Sequence, residues 1–160
     1  MSQHPNAALL TRFYEAFNRK DAAVMRAAYA PDARFDDPAF PGLQGDAIGD
    51  MWTMLCERAQ DFSLEFRDVQ ADETRGSAHW EARYLFGGKR RVHNVIEASF
   101  EFRDGKIVRH TDVFDFHRWA RQALGPVGLV LGWTGFLRGK VQAQSAKLLA
   151  DWQKKRATAR

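Results

Sequence analysis

Apolar residues recur at helical spacing early in the chain. Leu9, Leu10, Phe13, Ala16 and Phe17 share one face, which predicts an amphipathic helix over residues 6–18 capped by Asn6. Asp21 is placed to cap a second helix, in which Val24, Met25, Ala28 and Tyr29 share a face and which Pro31 is expected to end. The stretch ARFDDPAFPGLQG reads as a short extended piece broken by two prolines and a glycine, and Asp46 starts a third helix carrying Ile48, Met51, Trp52 and Leu55. From Phe62 the period changes to two: Phe62, Leu64 and Phe66, then Trp80, Ala82, Tyr84 and Phe86, alternate with polar neighbours as in half-buried strands. Gly87-Gly88 breaks this pattern, and Val92, Ile96, Ala98, Phe100 and Phe102 resume it, which is a hairpin signature. Arg103-Asp104-Gly105-Lys106 is the next turn and IVRHTDVFDF the returning strand. The predicted order is α-α-β-α-β-β-β-β, an α+β domain with an antiparallel sheet curled around helices.

The apolar run from Leu124 to Trp133 is interrupted by Gly and Pro and is too short for a bilayer, which needs about 20 residues. Beyond it, Phe136, Leu137, Val141, Leu148, Leu149 and Trp152 punctuate a polar stretch that predicts a final amphipathic helix, for packing or partner contact. We therefore divide the chain into a domain over 1–119 and a C-terminal section over 120–160 that packs on the domain or on a partner.

Composition narrows the class. A chain of 160 residues, 45% hydrophobic and 28% charged, suits one globular domain and excludes disorder, collagen and a solenoid. The lone Cys56 offers no internal disulfide, and the N-terminus lacks a cationic start followed by an apolar run, so a reducing, cytoplasmic setting is expected. The net charge of +4 is unevenly placed: residues 138–160 hold seven Lys or Arg against one acid, +6, which leaves 4 − 6 = −2 for the remainder. A nearly neutral body without a basic stripe argues against nucleic-acid binding. Lys154, Lys155 and Arg156 read as a solvated helix end.

Strand phase selects the candidate chemistry. The face of the 92–102 strand carrying Val92, Ile96, Ala98, Phe100 and Phe102 is the core face, and Asn94 is the one strongly polar residue on it. On the last strand, Ile107, Arg109, Thr111 and Val113 oppose Val108, His110, Asp112 and Phe114, and composition does not separate the two sets. If the second set faces in, His110 and Asp112 point into one interior, as a catalytic pair or as an internal hydrogen-bonded pair that orders the strand. Asp37, fixed in an extended backbone by Pro38, is either a rigid pocket base or a turn cap. Trp52, Trp80 and Tyr84 fit core or ligand contact, while His79 and His93 fall on the outer face. No His, Asp or Glu spacing repeats a metal-ligand pattern.

The order of elements, FYEAFNRKDAAVMRAAYAPDARFDDP, FEFRDGKIVRH and TDVFDF together resemble the NTF2-like superfamily, in particular its SnoaL-like and ketosteroid-isomerase-like bacterial members, over about residues 8–116. The resemblance implies a cone: a strongly curved antiparallel sheet wrapped over three N-terminal helices, with an apolar pocket at its open end and a homodimer through the sheet. In ketosteroid isomerase, where the surroundings of the carboxyl groups tune their pKa values, the proton-shuttling aspartate matches Asp37. Its oxyanion-hole tyrosine falls on Phe13, with Tyr14 about 100° further round the helix. Its partner acid falls on Glu97 or, matched by the Phe-x-Phe before the turn, on Ala98. The limonene-epoxide-hydrolase branch has an aspartate similar to Asp112, but its Arg-Asp pair meets His79-Trp80-Glu81 or Trp80-Glu81-Ala82 here. Neither machinery carries over whole.

The expected function is therefore acid-base chemistry without a cofactor or metal on a small hydrophobic molecule, of isomerase, cyclase, dehydratase or hydrolase type. Asp37 is the expected base and His110, held by Asp112, the acid or shuttle. Asn94 and Tyr84 are expected to hydrogen-bond a carbonyl or enolate oxygen, with Trp52, Trp80, Phe35, Phe114, Phe13 and Tyr14 lining the pocket. The alternatives are a non-catalytic ligand-binding or protein-interaction module, and a protein held on an anionic membrane surface by its C-terminal section.

Overall fold

The computed structural model describes residues 3–159. Helix α1 spans Pro5–Asn18, α2 Ala22–Ala27 and α3 Asp46–Arg58; strands β1 Tyr29–Asp36, β2 Leu43–Gln44, β3 Ser63–Ala71, β4 Arg75–Phe86, β5 Arg90–Arg103 and β6 Lys106–Val113 form the sheet; α4 Phe116–Leu124, α5 Pro126–Leu131 and α6 Gly135–Thr158 close the chain. The strand order is β2-β1-β6-β5-β4-β3. This is the α+β, curved-sheet NTF2-like architecture, antiparallel except where β1 runs parallel to β6.

Several expectations shift. The cap of α1 is His4, whose Nδ1 accepts from the Asn6 backbone N–H at 3.0 Å, because Pro5 takes the first helical position. Asn6 is buried and instead donates to the carbonyls of Asp72 and Glu73, tying α1 to the β3–β4 turn. Asp21 does cap α2, but that helix stops at Ala27, and Tyr29 opens β1 with Pro31 inside the strand. Pro31 sits where β1 shifts register against β6, between Tyr29 and Arg34, so no ladder hydrogen bond is asked of it.

The phase of β5 is as expected, with Val92, Asn94, Ile96, Ala98, Phe100 and Phe102 all buried. On β6 neither alternating set holds throughout. Phe102 pairs with Ile107 while Glu101 pairs with Arg109, so Val108 is an extra residue that lets Ile107, His110 and Asp112 all face inward. The β5–β6 turn puts Asp104 and Gly105 at φ 50° and 76°, the positive-φ pair of a tight hairpin.

The returning strand also ends earlier than its sequence suggests. Asp115 accepts from the Arg118 N–H at 3.1 Å and starts α4, so Phe116 belongs to a helix. Helix α4 runs across residue 120. A Cβ at Gly128 would stand 1.9 Å from the Ala120 carbonyl oxygen, so α5 crosses α4 in backbone contact that only glycine permits.

The main core packs α1, α3 and the inner sheet face, and it includes Leu149 of α6. A second cluster joins Val92 to Phe116, Trp119, Ala120, Ala123 and Leu137, and Tyr84 and Phe114 touch both clusters. Burying each large side chain contributes about 1.5–3 kcal/mol, so α4 and α6 are bound into the domain by the same force that forms its core. No helix is long and apolar enough to cross a membrane among the described residues.

Candidate active site

The sheet's inner face brings together polar side chains from five elements. His110, fully buried on β6, sits within a cage of rings: Phe100 at 4.3 Å between centroids, Phe35 at 4.9 Å, and Phe13 and Trp52 at 6.0 and 6.2 Å. Its Nε2 lies 2.8 Å from Asp112 Oδ1 and its Nδ1 lies 2.7 Å from the Tyr29 hydroxyl. Trp52 Nε1 donates to the Tyr29 oxygen at 3.0 Å, and Trp80 Nε1 donates to Asp112 Oδ1 at 3.4 Å.

One proton arrangement satisfies every group in this chain. Trp52 donates to Tyr29, Tyr29 donates to His110 Nδ1, and His110 Nε2–H donates to Asp112, which also accepts from Trp80. A proton on Nδ1 would leave the Tyr29 hydroxyl hydrogen without an acceptor in this chain, so we assign the Nε2–H tautomer. Both ring nitrogens of His110 are therefore engaged.

Tyr14 is the exception to satisfaction. It is fully buried against Phe13, Phe66 and Trp80, and its hydroxyl is the one buried side-chain polar atom among the described residues without a hydrogen-bond partner. Burial pushes its pKa well above the ordinary 10, and the nearby Asp112 carboxylate pushes it further. Helix α1 is buried on more than one face, so the 100° between Phe13 and Tyr14 leaves both inside.

Asp37 stands at the end of β1. Its Oδ1 accepts from the Ala39 and Phe40 backbone N–H groups at 2.7 and 2.6 Å, while Oδ2 takes no hydrogen bond from the described residues. Burial pushes its carboxyl up to about 6 against the two N–H donors; Asp112 raises it further and His110 lowers it. The turn-cap reading of Asp37 thus describes its Oδ1.

The outer rim is covered by the C-terminal helices. The half-buried Tyr84 accepts at its hydroxyl from Trp119 Nε1 at 2.9 Å; burial pushes Tyr84 up to about 12, and the Asp37 charge adds to this. Gln142 of α6 donates to the Pro38 carbonyl at 3.1 Å. Asn94, at 9% exposure less enclosed than Tyr14, makes no hydrogen bond through its amide to the described residues, and Phe114 packs between the two clusters. The expected site residues thus divide into an inner group (Phe13, Tyr14, Phe35, Trp52, Trp80, His110, Asp112) and a rim group (Asp37, Tyr84, Asn94, Phe114).

Two open concavities, of about 300 and 350 Å³, lie on the outer face and edge of the sheet along Arg75, Gly76, Ser99 and Arg109 and along Gln70, Asp72 and Ser77. They do not coincide with the expected apolar pocket, since none of its expected lining residues borders them. The interior around His110 is occupied by the rings described above, and α4 and α6 lie over the rim.

Three participants carry no clear sequence signal. Tyr29 reads as part of the α2 face, and Trp119 and Gln142 lie in the section outside the resemblance. Pro31 is the available clue for Tyr29, since it forces Ala30 into an extended backbone and so favours a strand there.

Residues 10–110 match the SnoaL-like domain. The chain belongs to the SnoaL-like family. Asp37 and His110 lie within the matched stretch, Asp112 just beyond it, and α4–α6 outside it. Among solved structures the chain is similar to an LEH-like epoxide hydrolase of M. tuberculosis, with 22% identity over 79% of this chain and 96% of that one and a TM-score of 0.64. It is also similar to a proposed polyketide cyclase of Xanthomonas campestris pv. campestris (26%, 74% and 96%, TM-score 0.61) and to a proposed isomerase of Rhodopseudomonas palustris (15%, 78% and 99%, TM-score 0.63). No curated protein matches the chain by sequence.

Proposed function

We propose that this SnoaL-like protein is a cofactor-independent acid-base enzyme acting on a small hydrophobic molecule that carries a carbonyl or epoxide oxygen. Asp37 Oδ2 takes a proton, either from carbon beside a carbonyl or from a water attacking an epoxide, while Oδ1 stays fixed by two backbone N–H groups. The Tyr14 hydroxyl donates to the substrate oxygen as charge develops there, with Asn94 as a second donor. His110 is given a positioning role, because both its nitrogens are engaged in holding Asp112 and Tyr29.

The observation that carries this reading is the buried, unpartnered hydroxyl of Tyr14. Such a group costs about 1–3 kcal/mol, a cost that a ligand oxygen would remove. Entry requires α4 or α6 to yield at the rim, where Trp119–Tyr84 and Gln142–Pro38 are the bonds to release. The acid-base types suggested by the structural neighbours set the panel: a cyclic enone, an aromatic β-diketone and a terpene epoxide.

The test is turnover of that panel with Asp37→Asn and Tyr14→Phe. Asp37→Asn is expected to lose about 10²–10⁴-fold in rate, and wild-type turnover to fall as pH drops through about 6, where Asp37 gains its proton. Undiminished turnover in Asp37→Asn overturns the assignment. A second reading, ligand binding without chemistry, is favoured by the covered rim; thermal stabilisation by the panel without turnover would select it. We also place the protein in the cytoplasm, as a homodimer through the outer sheet face, for which light scattering should give twice the chain mass.

A further inference from the structure

We propose that α5 and the turn into α6 dock the protein on an anionic membrane surface. From Phe116 to Ala150 the chain contains no Asp or Glu but holds Arg118, Arg121, Arg138, Lys140 and Lys147. Within this acid-free stretch, Val127, Leu129, Val130, Trp133 and Phe136 are exposed, the last three at 71%, 76% and 67%. Elsewhere among the described residues, the exposed large apolar side chains are only Phe86 and Val113.

These side chains are not misplaced core. The inward faces of the same section are filled by Phe116, Trp119, Ala120, Ala123 and Leu137, and Gly128 locks α5 onto α4. The outward set is braced as well: the Trp133 ring stacks on His117 at 3.7 Å, and His117 Nε2 donates to the Leu129 carbonyl at 3.1 Å. Lys140 lies over the Phe136 ring at 5.1 Å, which puts a cation at the edge of the apolar surface.

Exposed aliphatic and aromatic side chains, Trp among them, in a stretch whose charged groups are all Lys or Arg form the pattern that enters the headgroup layer of an acidic bilayer. Charge selects among occupants. A second copy would set two acid-free cationic sections against each other, whereas phosphate-bearing lipids supply the missing negative charge. The surface lies on the outer side of the section that covers Tyr84.

The test is co-sedimentation of the full-length protein with vesicles of phosphatidylcholine and phosphatidylglycerol in equal parts, or of phosphatidylcholine alone. Binding to the acidic vesicles is expected to be about tenfold or more tighter and to be lost in about 0.5 M salt. Val130→Glu with Phe136→Ser removes exposed apolar contact, and Arg138→Gln with Lys140→Gln removes charge without touching Asp37 or Tyr14. Each pair should weaken sedimentation about tenfold or more while the circular dichroism stays unchanged. Absence of binding to acidic vesicles, equal binding to neutral ones, or retention in both variant pairs overturns the proposal. So does self-association or capture of a protein partner that is lost in Val130→Glu while vesicles are ignored.

Discussion

Strands β4 and β6 each carry a histidine two residues before an acid, His79 with Glu81 and His110 with Asp112, and the two pairs lie on opposite faces of one sheet. Outside, His79 bonds Glu81 at 2.8 Å and also Glu97, while Glu81 accepts from His93 at 2.7 Å and Arg67 at 3.2 Å. Inside, His110 meets one carboxylate and one phenol within a shell of rings. The outer pair shares its charge with several partners, and its hydrogen bonds raise His79 and hold Glu81 down at about 2. In the inner pair both nitrogens of His110 are engaged, and Asp112 accepts at Oδ1 from His110 and Trp80. Spacing along a strand therefore supplies the pair, and the face decides whether it becomes a solvated ionic cluster or a rigid element of an interior.

The comparison can be broken most sharply at Asp112. Asp112→Ala leaves the His110 and Trp80 N–H groups buried without an acceptor, and should cost about 1–3 kcal/mol for each in urea unfolding. A loss below about 1 kcal/mol would put the inner pair on the footing of a surface pair. Asp37→Asn comes next. Its carboxyl rises from 3.8 to about 6 on folding, so the charged form costs stability as pH climbs through that window. With a discount for its partial exposure, the variant should be about 1–2 kcal/mol more stable than wild type near pH 8 and equal near pH 3. Equal stability at both would deny the burial of that charge.

Tyr14→Phe should be neutral, or gain about 1 kcal/mol, while turnover falls; a clear loss of stability would mean that the hydroxyl has a partner. The smallest effect belongs to His79→Gln. The folded pKa of His79 is raised above 6.5, so its contribution is complete below that value and disappears as pH rises through the raised one. Glu81 contributes above 4.5, and that contribution is lost as pH falls towards about 2. The outer cluster is thus strongest between about 4.5 and 6.5, and the variant should flatten the decline in stability on the alkaline side, as followed by melting temperature against pH.

Much of this was legible in the chain. Alternation over Val92–Phe102 identified the inner face and Asn94 upon it, and Gly105 marked the tight turn. The outward placing of His79 and His93 followed from the same period. What escaped were features set by pairing at a distance. Tyr29 fits a helix face equally well until β1 is laid parallel to β6, a neighbour about eighty residues away in sequence. Phe116 continues a period of two, and only the Asp115 cap turns it into a helix. The closure of the rim by Trp119 and Gln142 depends on how α4 and α6 fold back, which no local pattern of theirs encodes.

Val108 has a consequence for how such a chain can change in length. Because it is the surplus position opposite a shorter partner, a gene that lost its codon would still direct Ile107, His110 and Asp112 to the same side. Loss of the codon for Thr111 would instead send His110 and Asp112 to opposite sides. The geometry of this strand thus accommodates a deletion at one place and not three residues later.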